Sequence, residues 1–470
     1  MSESRLTPGT LDSLPEEVLR PGYRRQQVTP GILHLGVGAF HRAHQAVYTD
    51  VALQSDNDWG IIGVSLRSDR VAQQLNPQQG LFSLLSEDAT NRELRVVGSI
   101  LQVLVAPQQQ ASLAAAFRDA AIRVVTLTVT EAGYCLAADG HSLDAGLPAV
   151  QQDLANPNGG STAIGLLAKG LKQRLDAGGA PLTIISCDNL ANNSAKLKSV
   201  LTDYLAQSWP EVLPWLQENV RFPCSMVDRI VPAQTEDSLA RQAALLGVRD
   251  EAAIATEPFC QWIIERDFAT PMPDWEGAGA VLVDSIAPFE EMKLRLLNAA
   301  HSAIAILGLL NRQETVADVM SDPDLRALIE QLMAEDLLPA IAAPPGFDLA
   351  SYRDALLHRF SNPRLQHRCA QIAMDCTEKL RQRWLPTLAG PGESPLLLKA
   401  LAAWCYLVLD TDIEIQDPRR DTLLAIRTSE AQLSERIDAL LDSLGMDTAL
   451  KQWCTTFIEA CYSNIESELR

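Results

Sequence analysis

The apolar positions of the N-terminal half alternate between two spacings. Residues 32–35, 60–66, 124–129 and 182–186 are short runs rich in aliphatic and β-branched side chains, the pattern of buried strands. Between them, residues 40–55, 109–120 and 161–175 return apolar side chains at helical spacing. Strands alternating with helices predict a mostly parallel sheet joined by crossover helices. Proline and glycine punctuation at 271–274 and 277–279 ends this pattern, and from Phe289 onward the periodicity is helical. The predicted helices cover 290–310, 324–337, 351–360, 366–383, 395–409, 429–444 and 448–466. The boundary is expected near Pro288, giving an α/β domain over 1–288 and a mainly α-helical domain over 289–470.

The length of 470 residues fits two domains. With 47% apolar and 21% charged residues, the chain has the composition of a folded globular protein. The formal charge of -20 changes the functional picture more. Nucleic acid or an anionic membrane requires a continuous basic face, so a small-molecule partner is expected, and an anionic one must meet a local cluster of Lys or Arg. Met1-Ser2-Glu3-Ser4-Arg5 lacks the basic head and apolar stretch of a secretory signal. The apolar stretch at 396–409 is shorter than the roughly 20 residues a membrane span needs. A cytoplasmic protein, monomeric or weakly homo-oligomeric, is expected. The nine cysteines include no C-x-x-C pair, and Cys369 and Cys376 are read as core packing on one helix.

The first predicted strand runs into Leu35-Gly36-Val37-Gly38-Ala39-Phe40-His41-Arg42-Ala43-His44. Two glycines allow a tight turn and close backbone approach, and the amides opening the following helix point at a pyrophosphate. This is a Rossmann-like cofactor end, with Gly36, Gly38, Ala39 and Phe40 as candidate contacts, although His41 stands where the usual fingerprint has its third glycine. At the end of the second strand, Asp69 would hold the ribose hydroxyls of NAD, whereas Arg67 or Arg70 could receive the phosphate of NADP. His41 and His44 have no acidic or cysteine partner nearby, so they are read as helix-entry residues and no metal site is expected.

The stretch Glu291-Met292-Lys293-Leu294-Arg295-Leu296-Leu297-Asn298-Ala299-Ala300-His301-Ser302 carries the candidate chemistry. At roughly 100° per residue, Lys293, Asn298 and His301 project within an arc of about 140° on a helix that continues as nearly pure core. One surface can therefore hold a small polar constellation.

Lys-x4-Asn-x2-His in this context resembles the signature of the mannitol dehydrogenase family, the long-chain polyol and sugar-acid dehydrogenases. Similar stretches follow in family order: His34 to His44, Thr128-Val129-Thr130-Glu131, Ser186-Cys187-Asp188-Asn189, Met226-Val227-Asp228-Arg229-Ile230, Glu257-Pro258-Phe259 and Gln261-Trp262. The resemblance implies Lys293 as general acid/base, Asn189 and Asn298 holding the reacting oxygen, and His301 orienting the substrate. It adds Thr130 and Glu131 on the cofactor side, and Asp228, Lys379 and Arg368 on the substrate side. These roles are chemically coherent. A neutral amine takes the hydroxyl proton as hydride leaves for the nicotinamide, two amide donors stabilise the developing alkoxide, and no zinc is required. Glu290 and Glu291 are expected to face away from the cleft, where they do not favour the charged amine.

Arg359-Phe360-Ser361-Asn362-Pro363 and His367-Arg368, followed by Gln371-Ile372-Ala373-Met374-Asp375, resemble the sugar-acid branch. That implies NAD-dependent interconversion of D-mannonate and D-fructuronate, with Lys379 or Arg368 receiving the carboxylate. The alternatives are a polyol 2-dehydrogenase acting on mannitol or arabinitol, and a nucleotide-binding sensor that has lost the reaction. Several positions depart from the family pattern. Cys376-Thr377-Glu378 stands where the family has a small flexible turn, Ala299-Ala300 replaces Gly-Ser or Gly-Thr, Ala132 replaces a frequent lysine, and Ser194 replaces a glycine. These departures lie around the substrate side and bear on which sugar is used.

Overall fold

The computed structural model describes residues 4–462 and divides into two compact units, Met1–Ile286 and Ala287–Arg470. In the first unit the strands are β1 (Pro30–Leu35), β2 (Gly60–Ser65), β3 (Phe82–Glu87), β4 (Arg92–Val97), β5 (Ile100–Val105), β6 (Val124–Leu127), β7 (Leu182–Ser186), β8 (Val220–Arg221), β9 (Ser225–Asp228), β10 (Ile254–Thr256), β11 (Gln261–Glu265) and β12 (Val281–Val283). Six of them form a parallel sheet in the order β5-β2-β1-β6-β7-β8. Two three-stranded sheets, β10-β3-β4 and β12-β11-β9, complete the unit.

Both faces of the six-stranded sheet are covered, as a parallel sheet requires. Successive β1 side chains serve opposite faces. Leu33 and Leu35 join one apolar cluster with Phe117, Leu167, Leu171 and Leu201 from the helices Gln110–Arg118, Ala163–Asp176 and Asn193–Ser208. Ile32 joins the other, with Trp59, Trp262 and Trp275. His34 lies on the Ile32 side, fully buried, and its two ring nitrogens meet Thr126 Oγ1 at 2.8 Å and Thr128 Oγ1 at 3.0 Å. The helical pattern predicted over 40–55 is two helices, Ala39–Ala43 and Gln45–Ala52, broken at His44. His44 turns its Nε2 to the carbonyl of Gln261 at 2.8 Å, and His41 stacks on His34 with ring centroids 3.3 Å apart.

The second unit is helical among its described residues. Its central element runs from Ala287 to Leu310, 24 residues long, and every residue from Ala299 to Gly308 is buried. A helix apolar on all sides is a core helix. By length and composition this one is also able to cross a bilayer, and 67% of its apolar window is buried inside the protein. Around it lie Val316–Ser321, Pro323–Gln331, Leu349–Phe360, Cys369–Ile372, Cys376–Arg383 and Pro395–Asp410. Thr315, Asp322 and Asp348 cap three of these through side-chain oxygens, as N-cap residues do. The single helix expected over 366–383 is interrupted. Asp375 adopts a left-handed φ of 54°, its N–H donates to the carbonyl of Gln416, and the helix restarts at Cys376. Cys369 and Cys376, both buried, sit on either side of this break. The helix expected over 448–466 spans Thr448–Tyr462, and its last four predicted positions lie outside the described residues.

Candidate active site

The neighbours of β1 are β2 and β6, so the strand order reverses there, and a crevice opens beyond the carboxyl ends of these strands. The glycine turn enters it. Gly36 has φ +96°, and a Cβ at that position would lie 2.1 Å from the carbonyl oxygen of Thr128, so no other residue fits. Gly38 opens the helix Ala39–Ala43, and a Cβ there would meet only the Gly36 oxygen, at 3.8 Å. The space over this turn is open, with Ala39 and Phe40 half-buried beside it. Beyond the ends of β2 and β5, a cavity of about 440 Å³ is lined by Leu66, Arg67, Pro107 and Gln110 on one side and Asn156, Gly159 and Gly160 on the other. The open turn and the adjoining cavity fit a dinucleotide. Arg67 lines the cavity. Asp69 instead precedes the helix Arg70–Leu75 and accepts a hydrogen bond from Gln73 Nε2 at 2.9 Å.

Thr130 and Glu131 follow β6 and are exposed at the same sheet edge, Thr130 with the strained φ of +66°. Asp188, just past the end of β7, holds this turn. Its Oδ1 accepts the Thr130 N–H at 2.8 Å, and its Oδ2 accepts the Val129 N–H at 3.1 Å and the Tyr134 hydroxyl at 2.8 Å. Burial raises the Asp188 carboxyl above its ordinary range, and the three donors work against that rise. Asn189 is the next residue and is exposed. Buried Asn193 ties the segment down, donating to the carbonyls of Asp188 at 3.0 Å and Ser225 at 2.7 Å. Asp228, at the end of β9, is buried opposite Gln261. Its neighbour Arg229 donates to the Glu257 carbonyl, while the Glu257 carboxylate accepts the Ile230 N–H at 2.6 Å. Nothing in the sequence patterns assigns Asp188 a role of its own. Its signal was an acidic residue placed immediately after a buried strand.

In the second unit the long helix changes its winding at the candidate residues. Lys293–Asn298 is a π-helical segment between α-helical stretches, and the Ala299 N–H reaches back to the carbonyl of Leu294, five residues earlier. Such bulges are frequent at functional sites. With five-residue bonding, residues five apart lie nearly one above the other, so Lys293 and Asn298 share a face more closely than the α-helical arc predicts. Lys293 is buried and Asn298 half-buried. His301, three residues past Asn298, is buried with its ring stacked on Phe360 at 5.4 Å and edge-on to His367 at 4.7 Å. Burial, then the charges of His367, Arg383, Arg359 and Lys379, hold His301 well below the ordinary imidazole range, so its ring is neutral. Glu291 turns outward to Arg295 at 2.6 Å, and Glu290 is half-buried.

The two candidate substrate-side cations are in different surroundings. Lys379 donates to the carbonyls of Ile372 and Met374, at 3.1 and 2.5 Å, and burial lowers its amine from the ordinary lysine range. Arg368 is 68% exposed and pairs with equally exposed Glu314 at 3.2 Å. Arg383, which no motif in the sequence marks, reaches the long helix instead, donating to Ser302 Oγ at 2.8 Å.

Comparisons with known proteins agree along the whole length. Residues 30–277 match the mannitol dehydrogenase Rossmann domain and residues 285–465 the mannitol dehydrogenase C-terminal domain. The chain is 40% identical over 444 residues to the D-mannonate oxidoreductase of Escherichia coli (strain K12), covering 91% of each chain. Among solved structures, a D-sorbitol dehydrogenase in substrate-free form superposes with a TM-score of 0.90 at 30% identity, over 99% of this chain and 100% of that one. The Pseudomonas fluorescens mannitol 2-dehydrogenase, in a ternary complex with NAD and D-mannitol, gives 0.84 at 33% identity, over 99% and 98%. The chain therefore belongs to the mannitol dehydrogenase family, and it is an oxidoreductase of the dehydrogenase kind that acts on CH–OH groups.

Proposed function

We propose that the chain interconverts D-mannonate and D-fructuronate with NAD as the redox partner. The observation that carries the chemistry is the π-helical segment that stacks buried Lys293 over Asn298, with a neutral His301 one turn on. Similarity to a D-mannonate oxidoreductase across 91% of the chain supports the substrate. The open glycine turn at Gly36 and Gly38 supports the dinucleotide, as does the NAD held by the Pseudomonas fluorescens relative.

When bound, the nicotinamide supplies the hydride acceptor or donor. The chain's own residues handle the proton and the oxygen. In oxidation the Lys293 amine takes the hydroxyl proton, and in reduction it returns that proton to the carbonyl oxygen. The Asn298 amide donates to the same oxygen as negative charge grows on it, with Asn189 assigned as the second donor. His301 orients the substrate through a neutral ring, Asp228 accepts from a sugar hydroxyl, and Lys379 favours an acidic substrate. Gly36, Gly38, Ala39, Phe40, Asp69, Thr130 and Glu131 serve the dinucleotide. No step of this scheme calls on a metal, and the enzyme is assigned to the cytoplasm with a small molecule as its partner.

A polyol 2-dehydrogenase is the second reading, favoured by the likeness to a mannitol 2-dehydrogenase. Following the absorbance of NADH and NADPH with fructuronate, tagaturonate, fructose and xylulose separates the two. Fructuronate as the best substrate with NADH supports the proposal. Fructose or xylulose as the best substrate overturns it in favour of the second reading.

A further inference from the structure

Within a chain of formal charge -20, the second unit collects basic side chains beside His301. Lys379 and Arg383 are four residues apart on the helix Cys376–Arg383 and so share one of its faces. Nη1 of Arg383 lies 2.8 Å from Ser302 Oγ and 3.3 Å from the Asn298 carbonyl oxygen. These contacts bracket His301 on its own helix. The rings of His301 and His367 meet edge-on at 4.7 Å, and each keeps one nitrogen, His301 Nε2 and His367 Nδ1, buried with no hydrogen-bond partner. Buried polar atoms left unpaired cost stability unless a ligand or water satisfies them. The groups acting most strongly on His301 are all basic. Two acids act on Lys379, Asp375 more strongly than Asp417, and Asp417 is already engaged by the N–H and hydroxyl of Thr377, at 2.8 and 2.7 Å.

We infer that Arg383, with Lys379 and His367, forms a carboxylate subsite that receives the acid end of a sugar-acid substrate. The inference rests on the sugar-acid reading given above. Guanidinium matches a carboxylate in shape and in charge, and His367 Nδ1 supplies a further hydrogen bond from a neutral ring. Because Arg383 also grips Ser302 and the Asn298 backbone, a carboxylate bound there is fixed relative to the helix that carries Lys293, Asn298 and His301. A polyol has no charge to place at this position, so the subsite separates acids from polyols.

The test compares kcat/KM for D-mannonate and D-mannitol in the wild type, Arg383→Gln and Arg383→Lys. Calorimetry of D-mannonate binding without cofactor runs alongside. Loss of a partner for a buried charge predicts an acid-to-polyol ratio about 100-fold lower in Arg383→Gln, with partial recovery in Arg383→Lys and weakened D-mannonate binding. An unchanged ratio, or equal loss on both substrates, overturns the subsite while leaving the sugar-acid reading intact. A wild type that oxidises no sugar acid overturns that reading, and calorimetry alone then decides the subsite. Acid binding that disappears in Arg383→Gln supports the subsite, and absent or unaltered binding overturns it. Should Arg383→Gln fail to fold, His367→Phe and Lys379→Gln take its place against the same ratio.

Discussion

Oδ1 of Asp188 lies 2.8 Å from the backbone nitrogen of Thr130, a residue held at φ +66°. A non-glycine residue in that region is strained and persists only when its surroundings fix it. Asp188 does so by accepting from two consecutive backbone N–H groups and from Tyr134. Asp188→Asn keeps the shape but turns an N–H2 toward groups that are themselves donors, leaving at least one of them unpaired. We expect the KM for NADH to rise about tenfold and unfolding to become easier by about 1–3 kcal/mol. Tyr134→Phe, which removes one donor and keeps the carboxylate, is expected to cost about 1 kcal/mol. Cofactor titration and urea denaturation check both. An unchanged KM for NADH in Asp188→Asn refutes the clamp.

Lys293 and Asn298 share one face of a π-helical segment, and under the proposed scheme they are expected to fail in different ways. Lys293→Met removes the proton acceptor, and the loss of general acid/base catalysis predicts a kcat lower by about 10²–10⁴-fold. NADH binding, followed by fluorescence, is expected to stay near wild type. Asn298→Asp replaces a donor with an acceptor at the reacting oxygen and should lower kcat by about 10²-fold with less change in KM. A Lys293→Met protein that retains most of its kcat removes Lys293 from the mechanism.

The nucleotide end was legible in part: a glycine turn after a buried aliphatic strand is what a pyrophosphate site needs, but two glycines alone also suit a turn that binds nothing. The strands predicted over 32–35, 124–129 and 182–186 stand out because both of their faces are largely buried, so they read as short runs dominated by aliphatic side chains, broken only by buried His34, Thr126, Thr183 and Ser186 and by half-buried Thr128. β3, β4 and β5 did not stand out. Arg92 and Glu93 are exposed in β4, Gln102 is exposed in β5, and the whole segment reads as mixed. The π-helical winding was invisible to an argument built on a fixed 100° step, because one extra residue in a turn is decided by packing and leaves no periodic trace. Arg383 was missed for a related reason. The break at Asp375 resets the helix that carries it, so its face could not be projected from residue 366 onward.

Arg368 and Arg383 offer a direct contrast. The exposed Arg368–Glu314 pair is worth little, since pairs in water gain about 0–1 kcal/mol at most. Arg368→Ala is therefore expected to change stability by less than about 0.5 kcal/mol and the acid-to-polyol ratio by less than about twofold. A fall in that ratio matching the one expected for Arg383→Gln would move the carboxylate contact to Arg368.

Acid sensitivity follows from the buried histidines beneath the glycine turn. Burial pushes His34 down to about 3, and burial together with His34 and Arg42 holds His41 well below its ordinary value. The folded state thus keeps His34 neutral, while the unfolded chain protonates it below about 6.5. The unfolded state binds more protons in that window, so the contribution of His34 is complete above about 6.5 and is lost as pH falls toward about 3. Asp50 acts oppositely. Burial raises it to about 6, so its folded form binds a proton earlier than the unfolded chain and gains stability on acidification. Comparing wild type with His34→Asn cancels the Asp50 effect. The difference in unfolding free energy between the two proteins should shrink by about 1.4 kcal/mol per pH unit as pH falls from about 6 to about 4. Urea denaturation across that range reads it directly, and parallel stability profiles for the two proteins would mean that His34 takes up its proton without unfolding the sheet.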